Sequence, residues 1–93
     1  MESFILYAIS DSIGETAQQV AKAAISQFDI KEETYDIRRF PYVSTKETLM
    51  EILESAKNEN SIIVYTLVSE NLGDIVEDFC AKENLHCVDL MSQ

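Results

Sequence analysis

Ser10-Asp11-Ser12-Ile13-Gly14-Glu15-Thr16 comes straight after an unbroken apolar run, Phe4-Ile5-Leu6-Tyr7-Ala8-Ile9, and opens a segment whose apolar residues recur at helical spacing. That succession predicts a strand, a turn and a helix. The turn carries three hydroxyls, two carboxylates and one glycine where the first N–H groups of a helix have no backbone partner. Two readings fit these residue types. One is an anion-binding turn, in which Gly14 permits close approach or positive φ and Ser12 or Thr16 bonds the occupant. The other is an ordinary capping turn. Asp11 and Glu15 repel a bare phosphate, so an anion bound here requires a cation from elsewhere.

Outward from the turn, the apolar run before it fits a central strand covered on both faces, as in a parallel sheet. After it, Ala17, Val20, Ala21, Ala24, Ile25 and Phe28 form a helical stripe, with Gln18, Gln19, Lys22 and Gln27 opposite. Thr34 to Phe40 reads as an edge strand, with Tyr35 and Ile37 on one face and Asp36 and Arg38 on the other; Pro41 ends it. Ser44-Thr45-Lys46-Glu47 reads as a capping box with Ser44 at the N-cap, opening a helix with Leu49, Ile52, Leu53 and Ala56 inside and an end near Asn58 to Asn60. Ser61 to Thr66 is a second strand buried on both sides. Ser69 caps a further helix bearing Leu72, Ile75, Val76, Phe79 and Cys80, which Asn84 closes in left-handed geometry. Leu85 to Leu90 makes a fourth strand, with His86 near its start.

The order β-α-β-α-β-α-β calls for right-handed crossovers and a parallel sheet. Placing the two all-apolar strands inside gives the spatial order 2-1-3-4. The expected fold is therefore α/β: a Rossmann-like or flavodoxin-like three-layer sandwich with three crossover helices, in one domain over residues 1–93. The chain stops at Gln93 with no helix after the last strand, so an amino-terminal fragment of a longer protein is expected.

Seven basic against seventeen acidic residues give a net charge of −10, which opposes binding to nucleic acid or to anionic lipid. No apolar run approaches the ~20 residues of a membrane span, and Glu2 stands where a signal peptide carries basic charge. A cytoplasmic protein is expected. Cys80 and Cys87 form no CxxC motif, and with one histidine they cannot complete a structural zinc site, so free buried thiols and no metal are expected.

In a parallel sheet all carboxyl ends share one edge. The Ser10–Thr16 turn, Arg38 and Arg39 after strand two, and Thr66 to Ser69 after strand three are expected on that rim, where the reversal between strands one and three opens a crevice. Arg38 or Arg39 then supplies the missing cation, or alternatively pairs with Asp11 or Glu15 on the surface. His86 falls on the opposite edge as a structural residue. Neither glycine is followed by lysine at P-loop spacing.

The segment from Ile5 through Ser10-Asp11-Ser12-Ile13-Gly14-Glu15-Thr16-Ala17 to Ser26-Gln27-Phe28 resembles the amino terminus of the pyruvate, phosphate dikinase regulatory protein family, which carries a strand, then S-D-S-x-G-x-T-A, then a helix ending in S-Q-F. Arg39-Phe40-Pro41-Tyr42-Val43 and Val88-Asp89-Leu90-Met91 resemble later landmarks. The resemblance implies a bifunctional regulator that phosphorylates a threonine of the dikinase using ADP and reverses this with phosphate, releasing pyrophosphate. It also implies a nucleotide-binding P-loop in a carboxyl-terminal domain outside this chain, so no ADP-binding residue is assigned here. Ser10, Asp11, Ser12, Gly14 and Thr16 are carried over as motif positions, for contact with the target or with the phosphoryl group; a homodimer stays open. Three rival readings stand beside this one: a flavodoxin-like module holding a flavin phosphate, a non-catalytic protein-interaction domain, and, weakest, a receiver domain, since strand three ends in Thr66 and not in a phosphoacceptor aspartate.

Overall fold

A computed structural model describes residues 3–13, 19, 22–23 and 35–91. Its elements in chain order are β1 (Phe4–Ser10), β2 (Tyr35–Phe40), α1 (Lys46–Lys57), β3 (Ser61–Thr66), α2 (Glu70–Glu83) and β4 (His86–Asp89). The four strands form one parallel sheet in the order β2-β1-β3-β4, as the two all-apolar strands require. The first expected crossover helix lies outside the described residues apart from Gln19, Lys22 and Ala23, which are helical and exposed.

The alternation of β1 divides the core between the faces of the sheet. Tyr7 and Ile9 point to one side, where they meet Ile63 and Tyr65 of β3, Leu49, Leu53 and Ala56 of α1, and Leu72, Val76 and Phe79 of α2. Leu6 and Ala8 point to the other, with Val64 and Tyr35. All four β1 side chains are at most 1% exposed, so neither face of this strand is wet. Each buried leucine or isoleucine contributes about 1.5–3 kcal/mol by leaving water, and β1 concentrates that gain at the centre of the sheet.

Local chemistry sets where the helices begin and end. Ser69 caps α2, its hydroxyl accepting from Leu72 N at 3.3 Å, and Asn84 closes it at φ 57°, ψ 43°, as expected. Leu85 N then returns to Cys80 O at 2.9 Å, a carbonyl that also accepts from the Asn84 N–H. The start of α1 differs from the expected capping box. Thr45, and not Ser44, has the extended backbone of an N-cap (φ −123°, ψ 152°), and its hydroxyl accepts from Thr48 N at 3.2 Å. Shifting the cap by one residue puts Thr48 where the box needs an acid. Glu47 instead sits in the first turn, where its charge suits the helix dipole.

Candidate functional site

β1 ends in Ser10, which is fully buried, and its Oγ accepts from Ser12 N at 3.0 Å and lies 3.1 Å from Ser12 Oγ. The turn that follows is bound to the loops on either side of it. Ser10 O accepts from Val43 N and Ser12 O from Tyr42 N, both at 2.9 Å, which fastens the loop after β2. Asp11 Oδ2 accepts from Val68 N at 2.7 Å, which fastens the loop after β3. Arg39 Nη2 donates to Ile13 O at 3.0 Å. The crevice between strands one and three is thus bridged by one carboxylate, and the carboxyl ends of β1, β2 and β3 form a single connected rim.

The two arginines separate. Consecutive residues of a strand face opposite ways, and the register sets Arg38 beside Tyr7 and Arg39 beside Ala8. Arg39 therefore reaches the turn, exposed and with no ion pair among the described residues. Arg38 does not: its Nη1 lies 2.8 Å from Glu59 Oε2, in the connection leading into the amino end of β3, and donates to Tyr7 Oη at 3.2 Å. The expectation that both guanidiniums share the rim is corrected for Arg38. Neither arginine pairs with Asp11 among the described residues, and Asp11 Oδ2 accepts from Val68 N instead. Gly14, Glu15 and Thr16 lie outside the described residues.

Tyr7 is the centre of the Arg38 cluster. Its buried hydroxyl donates to Glu59 Oε2 and lies 3.0 Å from Ser55 Oγ, while its ring stacks on Phe40 at 5.3 Å and carries the Arg38 guanidinium at 5.8 Å. The Tyr7 hydroxyl and the Arg38 guanidinium together hold the Glu59 carboxyl below the usual glutamate range. Burial and the Glu59 carboxylate push the Tyr7 phenol above its ordinary value. This is a structural clamp at the edge of the sheet away from the turn.

Tyr42 carries a backbone signature that sequence reasoning missed. It holds φ 59°, a left-handed geometry that costs a side chain with Cβ about 1–2 kcal/mol, and its ring is 67% exposed. Nothing in the type of a tyrosine announces this; the bond from its N–H to Ser12 O sets it.

A cavity of about 290 Å³ opens beside the rim, between α2 and the ends of β3 and β4. Glu70, Asp74, Glu77 and Asp89 line it together with Tyr65, whose hydroxyl donates to Glu77 at 3.3 Å. Burial, with the Glu77 and Asp89 carboxylates next in effect, raises the Tyr65 phenol so that it stays a hydrogen-bond donor. No group of three or more His, Cys, Asp or Glu among the described residues converges as a metal site, and His86 is exposed at the amino end of β4.

Comparison with known proteins agrees with the sequence resemblance. A family model described as kinase/pyrophosphorylase matches residues 6–93. A protein of Clostridioides difficile is 59% identical over 92 residues, which is 99% of this chain and 32% of the relative. One of Alkaliphilus metalliredigens is 50% identical over 91 residues, covering 98% of this chain and 32% of its own length. One of Lysinibacillus sphaericus is 41% identical over 91 residues, covering 98% and 34%. All three are named as pyruvate, phosphate dikinase regulatory proteins, and this chain spans about a third of their length.

Proposed function

Because this chain belongs to the kinase/pyrophosphorylase family, we propose that it is a recognition domain of a pyruvate, phosphate dikinase regulatory protein, acting in the cytoplasm on the dikinase as its protein substrate. In this reading the whole protein adds a phosphoryl group to a threonine of the dikinase at the expense of ADP and removes it with phosphate. In this reading ADP is held outside this chain, which is supported by Gly73 lying within α2 and by neither glycine being followed by lysine at P-loop spacing. No nucleotide step is derived from this chain.

What this chain offers is a charge for a phosphoryl group. The observation that carries the reading is Arg39, held at the turn by the Ile13 carbonyl and facing no carboxylate among the described residues. A guanidinium presents parallel N–H groups to phosphate oxygens, and one bond to a carbonyl leaves others to donate. The Ser12 hydroxyl, exposed on the same turn, is a second donor. Asp11 is spent on Val68 N, which lessens its repulsion of an incoming anion. The flavin-module reading is less favoured, because Ser10 Oγ already serves Ser12 N and the relatives are named for dikinase regulation.

Calorimetric titration of the chain with inorganic phosphate and with a phosphothreonine peptide tests this. Arg39→Ala should weaken binding about tenfold or more, the loss of one charge-assisted pair, whereas Arg38→Ala should leave affinity unchanged. Equal affinity for Arg39→Ala and the parent discards the reading. ADP should give no heat with this chain alone.

A further inference from the structure

Apolar exposure in this chain gathers at one edge. Each of the four strands is followed, two or three residues beyond its last, by a large apolar side chain more than half exposed: Ile13 at 54%, Tyr42 at 67%, Val68 at 72% and Met91 at 53%. Parallel strands end together, so these four lie on one rim. Single exposed apolar residues are ordinary, but a set gathered on one surface marks an interface. Among the described residues the one other exposed large apolar side chain is Val88, at 48% and within β4.

The rim is also preformed. Three of its four loops are fastened together by the bonds from Tyr42 N to Ser12 O, Val43 N to Ser10 O and Val68 N to Asp11. Tyr42 is held outward on a left-handed backbone that an unconstrained loop would relax, and strain of that kind persists where the surroundings enforce it. The acidic cavity lined by Glu70, Asp74, Glu77 and Asp89 adjoins the Val68 loop. Apolar anchors beside a pocket of one charge sign call for a partner surface of matching polarity with a lysine or arginine at its margin.

We propose that this rim is the docking surface for the other two-thirds of the family's polypeptide, which seats an apolar patch on Ile13, Tyr42, Val68 and Met91 and extends a basic side chain into the cavity. The relatives supply that polypeptide, since this chain matches only 32% of the Clostridioides difficile protein. Met91 stands where the chain leaves β4, so polypeptide continuing from it starts on the surface to be covered. The proposal stands on the apolar rim and is independent of a phosphate role for Arg39.

Hydrogen exchange read by mass spectrometry tests it, on this chain and on the full-length Clostridioides difficile relative without added ligand. Peptides aligned with residues 11–13, 41–44, 67–69 and 90–91 should exchange about tenfold more slowly in the relative, while the exposed face of α1 exchanges alike in both. An aspartate at the position aligned with Val68 should restore fast exchange at all four loops; a change confined to its own loop overturns the proposal. Equal rates in the two proteins overturn it as well. So does slowing that needs a higher concentration of this chain, which points to a second copy, or added dikinase, which points to a separate partner. Slowing seen only with added phosphate favours the anion reading and rejects the docking one.

Discussion

Tyr7 shows how much one side chain can organise. Its hydroxyl has Ser55, Glu59 and Arg38 around it, and its ring packs on Phe40, so Tyr7→Phe removes a buried donor while leaving the shape intact. Loss of about 1–2 kcal/mol is expected in urea unfolding, since partners are left without their bond. Glu59 gives the same cluster a pH dependence. Its folded carboxyl lies below the ordinary value of about 4.3, so its contribution is present above that pH and is lost as pH falls through the folded value. Across pH 6 to 3 the parent should therefore lose more stability than Glu59→Gln, and the two should converge at the acid end. Cys80 behaves in the opposite direction. Burial, with Cys87 beside it, pushes its thiol up to about 12, so stability present below the ordinary thiol range of about 8.5 declines as pH rises toward that value. At neutral pH a maleimide should modify the half-buried Cys87 before Cys80, and equal rates would contradict this placement. Arginine is where residue type alone fell short: both guanidiniums stood in the sequence, but only the pairing of β2 with β1 tells which face each takes. The alternation that separates Asp36 and Arg38 from Tyr35 and Ile37 shows that the two arginines face opposite ways, and the register then sets what each one meets.

At the scale of elements, most of the fold was legible. The apolar runs of β1 and β3 announced central strands, and the stripes Leu49-Ile52-Leu53-Ala56 and Leu72-Ile75-Val76-Phe79-Cys80 announced two inner helix faces, which are buried as spaced except for Ile75, which is partly buried. β2 and β4 stand at the edges, with Asp36, Arg38 and Arg39 exposed on the first and exposed residues alternating along the second. The cap of α1 was displaced by one residue because Ser44 and Thr45 are equally good by type, and only backbone geometry chooses between them. Thr45→Ala should cost about 1 kcal/mol and Ser69→Ala about the same, while Ser44→Ala should be near neutral in thermal unfolding. A loss at Ser44 equal to that at Thr45 would restore the capping box. Lys57 and Glu83 join α1 to α2 at 3.6 Å, but both are partly exposed and the pair contributes little beside the packing beneath it. The candidate site was legible in outline and not in detail. The sequence located the turn after β1 and the strand ends that flank it, but the links from Asp11 to Val68 N and from Tyr42 N to Ser12 O join backbone atoms that every residue possesses, so composition cannot foretell them.

For the whole molecule, the net charge of −10 on 93 residues is the dominant global feature. Like charges brought together by folding repel, and the Debye length falls from about 30 Å at 0.01 M salt to about 8 Å at 0.15 M. The melting temperature should therefore rise as sodium chloride increases over that range, and a flat response would show that local pairs offset the excess. The same charge gives the rim its contrast, with the Arg39 guanidinium at the turn after β1 and the carboxylate-lined cavity at the ends of β3 and β4. Asp11 and Val68, 57 positions apart along the chain, meet only after β1 and β3 have found one another. An incompletely assembled chain thus presents no finished rim, and any activity that depends on this surface doubles as a readout of conformational maturity: molecules caught midway through folding, or opened by heat, would fall silent before they could act on the wrong target.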